Sequence, residues 1–154
     1  MKVQMAVVGK PRDAVLAAAI REYENRAARY WPLEVIEVKE ESGRAASPAV
    51  VMRKEGERLL ERIPPGARLV LCDSGGESMN SKAFAAMVQE HRERALDVAF
   101  VIGGAHGIGD VLRERVHRRI ALAPWTLPHE LARVVLAEQL YRAGTIGRNE
   151  PYHK

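Results

Sequence analysis

Four of the chain's 12 glycines crowd into the seven residues Gly103-Gly104-Ala105-His106-Gly107-Ile108-Gly109. A run like this lets backbone approach a ligand closely. Its spacing fits neither common phosphate loop. A dinucleotide fingerprint needs G-x-G-x-x-G, which glycines at 103, 104, 107 and 109 match in no frame, and a P-loop needs Gly-Lys-Ser/Thr where Gly109 is followed by Asp110. NAD or ATP chemistry is therefore unsupported. Two readings stay open: a tight strand-to-helix turn, or a loop holding an adenosine-type ligand by its backbone amides.

A second stretch with chemical content is Thr126-Leu127-Pro128-His129-Glu130-Leu131. Thr126 and Pro128 suit a helix start, which puts His129 in a first turn beside unsatisfied backbone donors. A histidine there is either a capping or surface residue, or a polar contact to a substrate base with a proton to exchange near neutral pH. The tail Arg148-Asn149-Glu150-Pro151-Tyr152-His153-Lys154 reads as frayed by position. It nevertheless ends in Tyr, His and Lys, types that stack on bases and contact phosphate. Arg142, next to Tyr141, is a further polar point suited to a cleft. The single Cys72 makes neither an internal disulfide nor a cysteine zinc site, and the five His show no ligand spacing, so no metal is expected.

Composition and charge set the class. The chain has 154 residues, 47% hydrophobic and 29% charged, an ordinary globular balance that excludes disordered and fibrous classes. Its apolar runs are shorter than a membrane-spanning helix requires. The opening MKVQMAVVGKP reads as a first strand rather than a signal peptide, and a cytoplasmic setting is expected. The net charge is +4. Residues 101–154 carry eight basic and five acidic groups, so three of the four net charges lie in the last third. Arg113, Arg115, Arg118 and Arg119 form the densest cluster, either a solvated helix face or an RNA-facing patch.

The spacing predicts strands at 3–8, 33–38, 69–72, 97–102 and 120–122. Helices are predicted over about 13–30, 48–62, 80–91, 110–117 and 128–146, with a polar loop over Glu40–Ala46. In the first helix Val15, Leu16, Ala19, Ile20, Tyr23 and Ala27 form one apolar stripe. The last helix is apolar on two faces, Leu131-Val134-Val135 and Ala132-Leu136-Leu140-Ala143, with Arg133, Glu138 and Arg142 as polar points. It is therefore either a central core helix or a core helix that also meets a second copy. Alternating strands and helices imply a single α/β domain over 1–154, a mostly parallel sheet with helices on both faces. Ligands on such sheets bind beyond the C-terminal strand ends. That gathers Cys72–Gly76, Gly103–Gly109 and Leu122–Leu127 into one crevice.

Six motifs in order, spanning the whole chain, resemble the ribosomal RNA large subunit methyltransferase H family of the SPOUT superfamily. They are Met1-Lys2-Val3-Gln4, Lys54-Glu55-Gly56-Glu57, Ile102-Gly103-Gly104-x-x-Gly107, Thr126-Leu127-Pro128-His129, Glu138-Gln139-Leu140-Tyr141-Arg142-Ala143 and Asn149-x-Pro151-Tyr152-His153. The resemblance implies a SPOUT α/β fold with a C-terminal trefoil knot, a homodimer, and methylation of N3 of a pseudouridine (position 1915) in 23S ribosomal RNA by S-adenosylmethionine. It assigns donor contacts to Cys72, Gly103, Leu122, Ala123, Pro124, Trp125, Thr126 and Leu127. Beside it, we read His129, then His153, as candidate bases for the N3 proton, Arg142 as a stabiliser of charge on the base oxygens, and Tyr152 as a stacking or hydrogen-bonding contact. In a dimer the tail of one subunit would complete the other's site. The chain departs from the family's more frequent residues at Cys72 (Leu), Ala105-His106 (Pro-Glu), Pro124-Trp125 (small residues) and Gly144 (aromatic). Two rival functions are a non-catalytic RNA-binding protein and a SPOUT methyltransferase acting on another nucleotide.

Overall fold

A computed structural model describes residues 1–42, Arg44 and residues 46–154; the loop predicted over Glu40–Ala46 includes residues 43 and 45, which lie outside the described residues. The elements in chain order are β1 (Val3–Val8), α1 (Ala14–Ala27), β2 (Leu33–Val38), α2 (Pro48–Arg62), β3 (Arg68–Ser78), α3 (Ser81–Glu93), β4 (Val98–Ile102), α4 (Asp110–Arg113), β5 (Arg118–Ala121) and α5 (His129–Gly147). Three helices begin where a side chain can cap. Asp13 accepts from the Leu16 amide at 2.9 Å, Ser47 from Val50 at 3.4 Å, and Asn80 from Ala83 at 2.9 Å. Pro48 occupies the first turn of α2, where its missing N–H costs nothing.

The strands form one parallel sheet in the order β2-β1-β4-β3-β5. Central strands β1 and β4 are buried along their whole length, as expected when helices cover both faces. Alternation along each strand divides the core in two. Val3, Met5, Val7, Val98, Phe100 and Ile102 pack with Trp31, Phe84, Val88 and Leu136 under α1, α3 and α5. Ala6, Val8, Ala99 and Val101 pack with Leu59, Ile108 and Leu112 under α2 and α4. The Trp31 indole N–H donates to the Leu140 carbonyl at 2.7 Å, which ties the α1–β2 turn to the middle of α5.

Four expectations need correction. Val15 is 77% exposed, so the α1 stripe buries Ile20 and Ala27 but not its first member. The helix predicted over 110–117 stops at Arg113, because His117 returns to the sheet: its N–H donates to Leu69 O at 2.9 Å and its Nδ1 accepts from Leu69 N at 3.0 Å. That pairing also moves β5 earlier, to Arg118–Ala121. The strand predicted to end at Cys72 leaves its ladder there but rejoins it, since both Cys72 and Glu77 pair with Ile120 and Asp73–Gly76 bulge out between them. Among the described residues no helix is long and apolar enough to cross a membrane.

Candidate functional site

The bulge in β3, the glycine loop after β4 and the segment after β5 all leave the sheet at its C-terminal edge. Together with the start of α5 they enclose a cavity of about 550 Å³. That is an ordinary size for a small-molecule site at this edge of a parallel sheet. Its apolar wall comes from Cys72, Ile102, Leu122, Ala123, Leu127 and Ala132. Its polar points are Asp73, Ser74, Thr126 and His129, together with the glycine-loop backbone. The three segments grouped from the sequence therefore share one crevice. Of the donor residues assigned by resemblance, Cys72, Gly103, Leu122, Ala123, Trp125, Thr126 and Leu127 line it, and Pro124 does not.

Each wall has a physical cause. Burial pushes the Cys72 thiol up to about 12, so it stays protonated and acts as a small apolar surface. Burial opposes ionisation of Asp73 as well. There the Arg119 guanidinium at 2.5 Å, the Gly75 amide and Arg113 at 3.7 Å prevail, and hold the carboxyl below the usual carboxylate range. Asp73 is thus a fixed negative charge on the cavity wall. The glycine loop is pinned by close contacts: a Cβ on Gly103 would lie 2.8 Å from the Gly107 backbone, and one on Gly104 would lie 2.7 Å from Glu55 Oε1. The second Glu55 oxygen accepts from the Glu41 amide at 3.1 Å, while Oε1 is buried without a partner among the described residues. Glu55, from the Lys54–Glu57 motif, therefore backs the loop that lines the cavity.

His129 opens α5 and lines the cavity. The cap residue Pro128 supplies no side-chain acceptor, so the first amides of α5 stay available next to it. The other three candidate catalytic residues lie elsewhere. Arg142 is 13 residues further along α5, about 20 Å at 1.5 Å per residue. There it pairs with Glu138 at 2.6 Å and meets His153 Nδ1 at 3.2 Å. Tyr152 donates to Glu138 Oε1 at 3.0 Å, packs against Tyr141 with ring centroids 4.5 Å apart and the rings tilted by 55°, and lies under the Arg142 guanidinium at 4.8 Å. Burial and the Glu138 carboxylate push the Tyr152 phenol up to about 12, so it too keeps its proton. The tail does not reach the cavity of its own chain: it folds back on the far end of the same helix.

Sequence reasoning missed three contributors. Ala132 and Ile102 line the cavity but looked like plain core residues. Glu138 holds Arg142 and Tyr152 together, and its i,i+4 spacing to Arg142 was the available signal.

Comparison with known proteins adds the family. The model of a family described as "Predicted SPOUT methyltransferase" matches residues 1–153. A protein of Gemmatimonas aurantiaca named ribosomal RNA large subunit methyltransferase H is 64% identical over the full length of both chains. One of Pelobacter propionicus with the same name is 44% identical over 99% of each. The crystal structure of a probable methyltransferase from Bordetella pertussis shares the fold with a TM-score of 0.57 at 17% identity, covering 92% of this chain and 95% of that one.

Proposed function

This chain belongs to the SPOUT methyltransferase family, and we propose that it carries a methyl group from S-adenosylmethionine to N3 of a pseudouridine in 23S ribosomal RNA, in the cytoplasm. The observation that carries the reading is the convergence of Cys72–Ser74, the glycine loop and Leu122–Leu127 on one apolar-walled cavity with a single fixed acid. Such a wall suits an adenosyl group, with the glycine-loop backbone available for its polar contacts. Asp73, although shared with Arg119 and Arg113, still presents carboxylate oxygen as an acceptor for a polar group of the donor. The donor supplies an activated methyl on sulfur; the protein supplies alignment, which can account for much of the acceleration of a displacement.

The acceptor nitrogen must lose a proton. His129 on the cavity wall is the residue placed to take it, with the first α5 amides favouring negative charge nearby. Arg142, Tyr152 and His153 are preassembled around Glu138, yet about 20 Å away in the same chain. A two-fold dimer that sets two α5 helices side by side and antiparallel brings one chain's tail to the partner's His129. Exposed Val15 and Leu131, with half-buried Val134 and Val135, offer an apolar surface for that contact. In the dimer Arg142 steadies charge on the base oxygens and Tyr152 stacks on or hydrogen-bonds the base.

Mass spectrometry of ribosomal RNA from a strain lacking the gene tests this. The proposal predicts loss of one methyl from one pseudouridine and its return with the intact gene. Unchanged RNA contradicts it. Titration calorimetry with S-adenosylhomocysteine separates it from a merely RNA-binding protein, which would give no heat of binding.

A further inference from the structure

Of the four large apolar side chains exposed among the described residues, Val15, Val111, Trp125 and Leu131, only Trp125 lines the cavity. It is 76% exposed, whereas the other tryptophan, Trp31, is 2% exposed. A large indole left in water is costly, and aromatic rings in that position commonly mark contact surfaces. Cys72, Ile102, Leu122, Leu127 and Ala132 form the inner apolar wall, whereas the indole on the same lining stands mostly in solvent. The ring therefore belongs to the mouth. Pro124 precedes it and Pro128 follows three residues later, which stiffens the segment and reduces the ordering cost of any contact the ring makes.

The neighbouring charges say what would come to that mouth. Asp73, on the same cavity, is held by Arg119 and Arg113, and Arg118 pairs with Glu77 at 2.8 Å on the adjoining strand edge. All three arginines are exposed. Three guanidiniums against the two carboxylates Asp73 and Glu77 leave a net positive edge next to the wall that Asp73 shares with Trp125, a combination suited to phosphate and a stacked base.

We propose that Trp125 is a stacking platform for an unpaired nucleobase of the RNA substrate next to the target base, with Arg113, Arg118 and Arg119 facing its phosphates. The inference rests on the RNA-methyltransferase reading above and specifies how that site grips its substrate. Indole carries no proton useful near neutral pH, so Trp125 positions the substrate and leaves the chemistry to other groups.

The test is steady-state methyl transfer by the full-length protein to large ribosomal subunits purified from the deletion strain, with Trp125→Ala, Trp125→Leu and Trp125→Phe. Stacking predicts that Trp125→Ala and Trp125→Leu lower kcat/KM for the subunit roughly 10-fold or more, mainly through KM. Trp125→Phe should recover to within about threefold. The donor contact that the resemblance gives position 125 is assigned here to its backbone, which all three variants keep, so the Kd for S-adenosylhomocysteine should stay within about twofold. Leu performing as well as Trp would overturn the inference, since greasiness alone would then suffice. A tenfold change in donor Kd would overturn it in favour of the donor's adenine as the ring's partner. Altered elution on size exclusion would overturn it in favour of a second copy of the chain. Absence of transfer by the unaltered protein would remove the functional reading itself, whereas normal transfer with an unimpaired Trp125→Ala removes only this inference.

Discussion

Glu55 shows how a single residue ties the family motif to the site. Its carboxyl is 4% exposed, wedged between the Glu41 amide and Gly104 of the cavity loop, with Oε1 unpartnered among the described residues. Burial raises its pKa above the usual carboxylate range; the Glu41 amide opposes that, Glu40 adds to it, and Arg58 and His106 offset part. A raised folded pKa means stability that is fully present below the ordinary carboxylate value and is lost as pH rises through the higher one. Glu55→Gln removes the charge but keeps the shape. Its melting temperature should vary less with pH between about 4 and 8, and lie a few degrees above wild type near neutrality. Thermal melts across that range check this; parallel curves for both proteins would contradict it. The sequence placed Glu55 on a helix within a motif but gave no sign of its burial, because a glutamate on a helix is ordinarily solvated.

At the scale of elements, β1, β2 and α2 were legible to the residue and α5 to within one residue at each end, but the environment of α5 was the least legible. Its apolar stripes placed it in the core, and Ala132, Leu136, Leu140 and Ala143 are buried there. Arg133, read as a polar point, is instead 6% exposed and forked between Glu24 of α1 at 2.7 Å and Glu37 of β2 at 2.8 Å. A period count cannot reveal that partnership, because both carboxylates come from distant segments. Gly144 is a parallel case. The resemblance sets an aromatic here, and the structure supplies one from elsewhere: a Cβ on Gly144 would lie 2.3 Å from Cγ of Tyr30, whose hydroxyl donates to Glu150 in the tail. Alanine gains about 1 kcal/mol of helix propensity over glycine. The clash costs about 1–3 kcal/mol and also strains the tail's anchor. Gly144→Ala should therefore be net destabilising, by up to about 2 kcal/mol in urea unfolding. Combining it with Tyr30→Ala should remove the clash, so the double variant falls short of the summed losses. A neutral or stabilising Gly144→Ala would show that Tyr30 moves away freely.

For the molecule as a whole, the parallel sheet and its crevice followed from alternating strands and helices, because the C-terminal edge of such a sheet gathers its loops. What spacing did not reveal is where the tail lies. Tyr152 and His153 read as base-contacting types, but Tyr141, Glu138 and Tyr30 hold the tail at the far end of α5 from the cavity. Local pattern also carries no information on the path of a knot, a property of the whole chain. The central claim is that each working site combines the cavity of one subunit with the tail of the other. Subunit complementation tests it most directly. One variant lacks Pro151–Lys154; the other, Ala123→Trp, fills the cavity and is expected to give no calorimetric binding of S-adenosylhomocysteine. Each should be inactive alone. Refolded together in equal amounts, half the dimers are mixed and each holds one site with both intact halves, so methyl transfer should return to about a quarter of wild type. No recovery from mixed dimers, or full activity of the truncated chain by itself, would contradict the account.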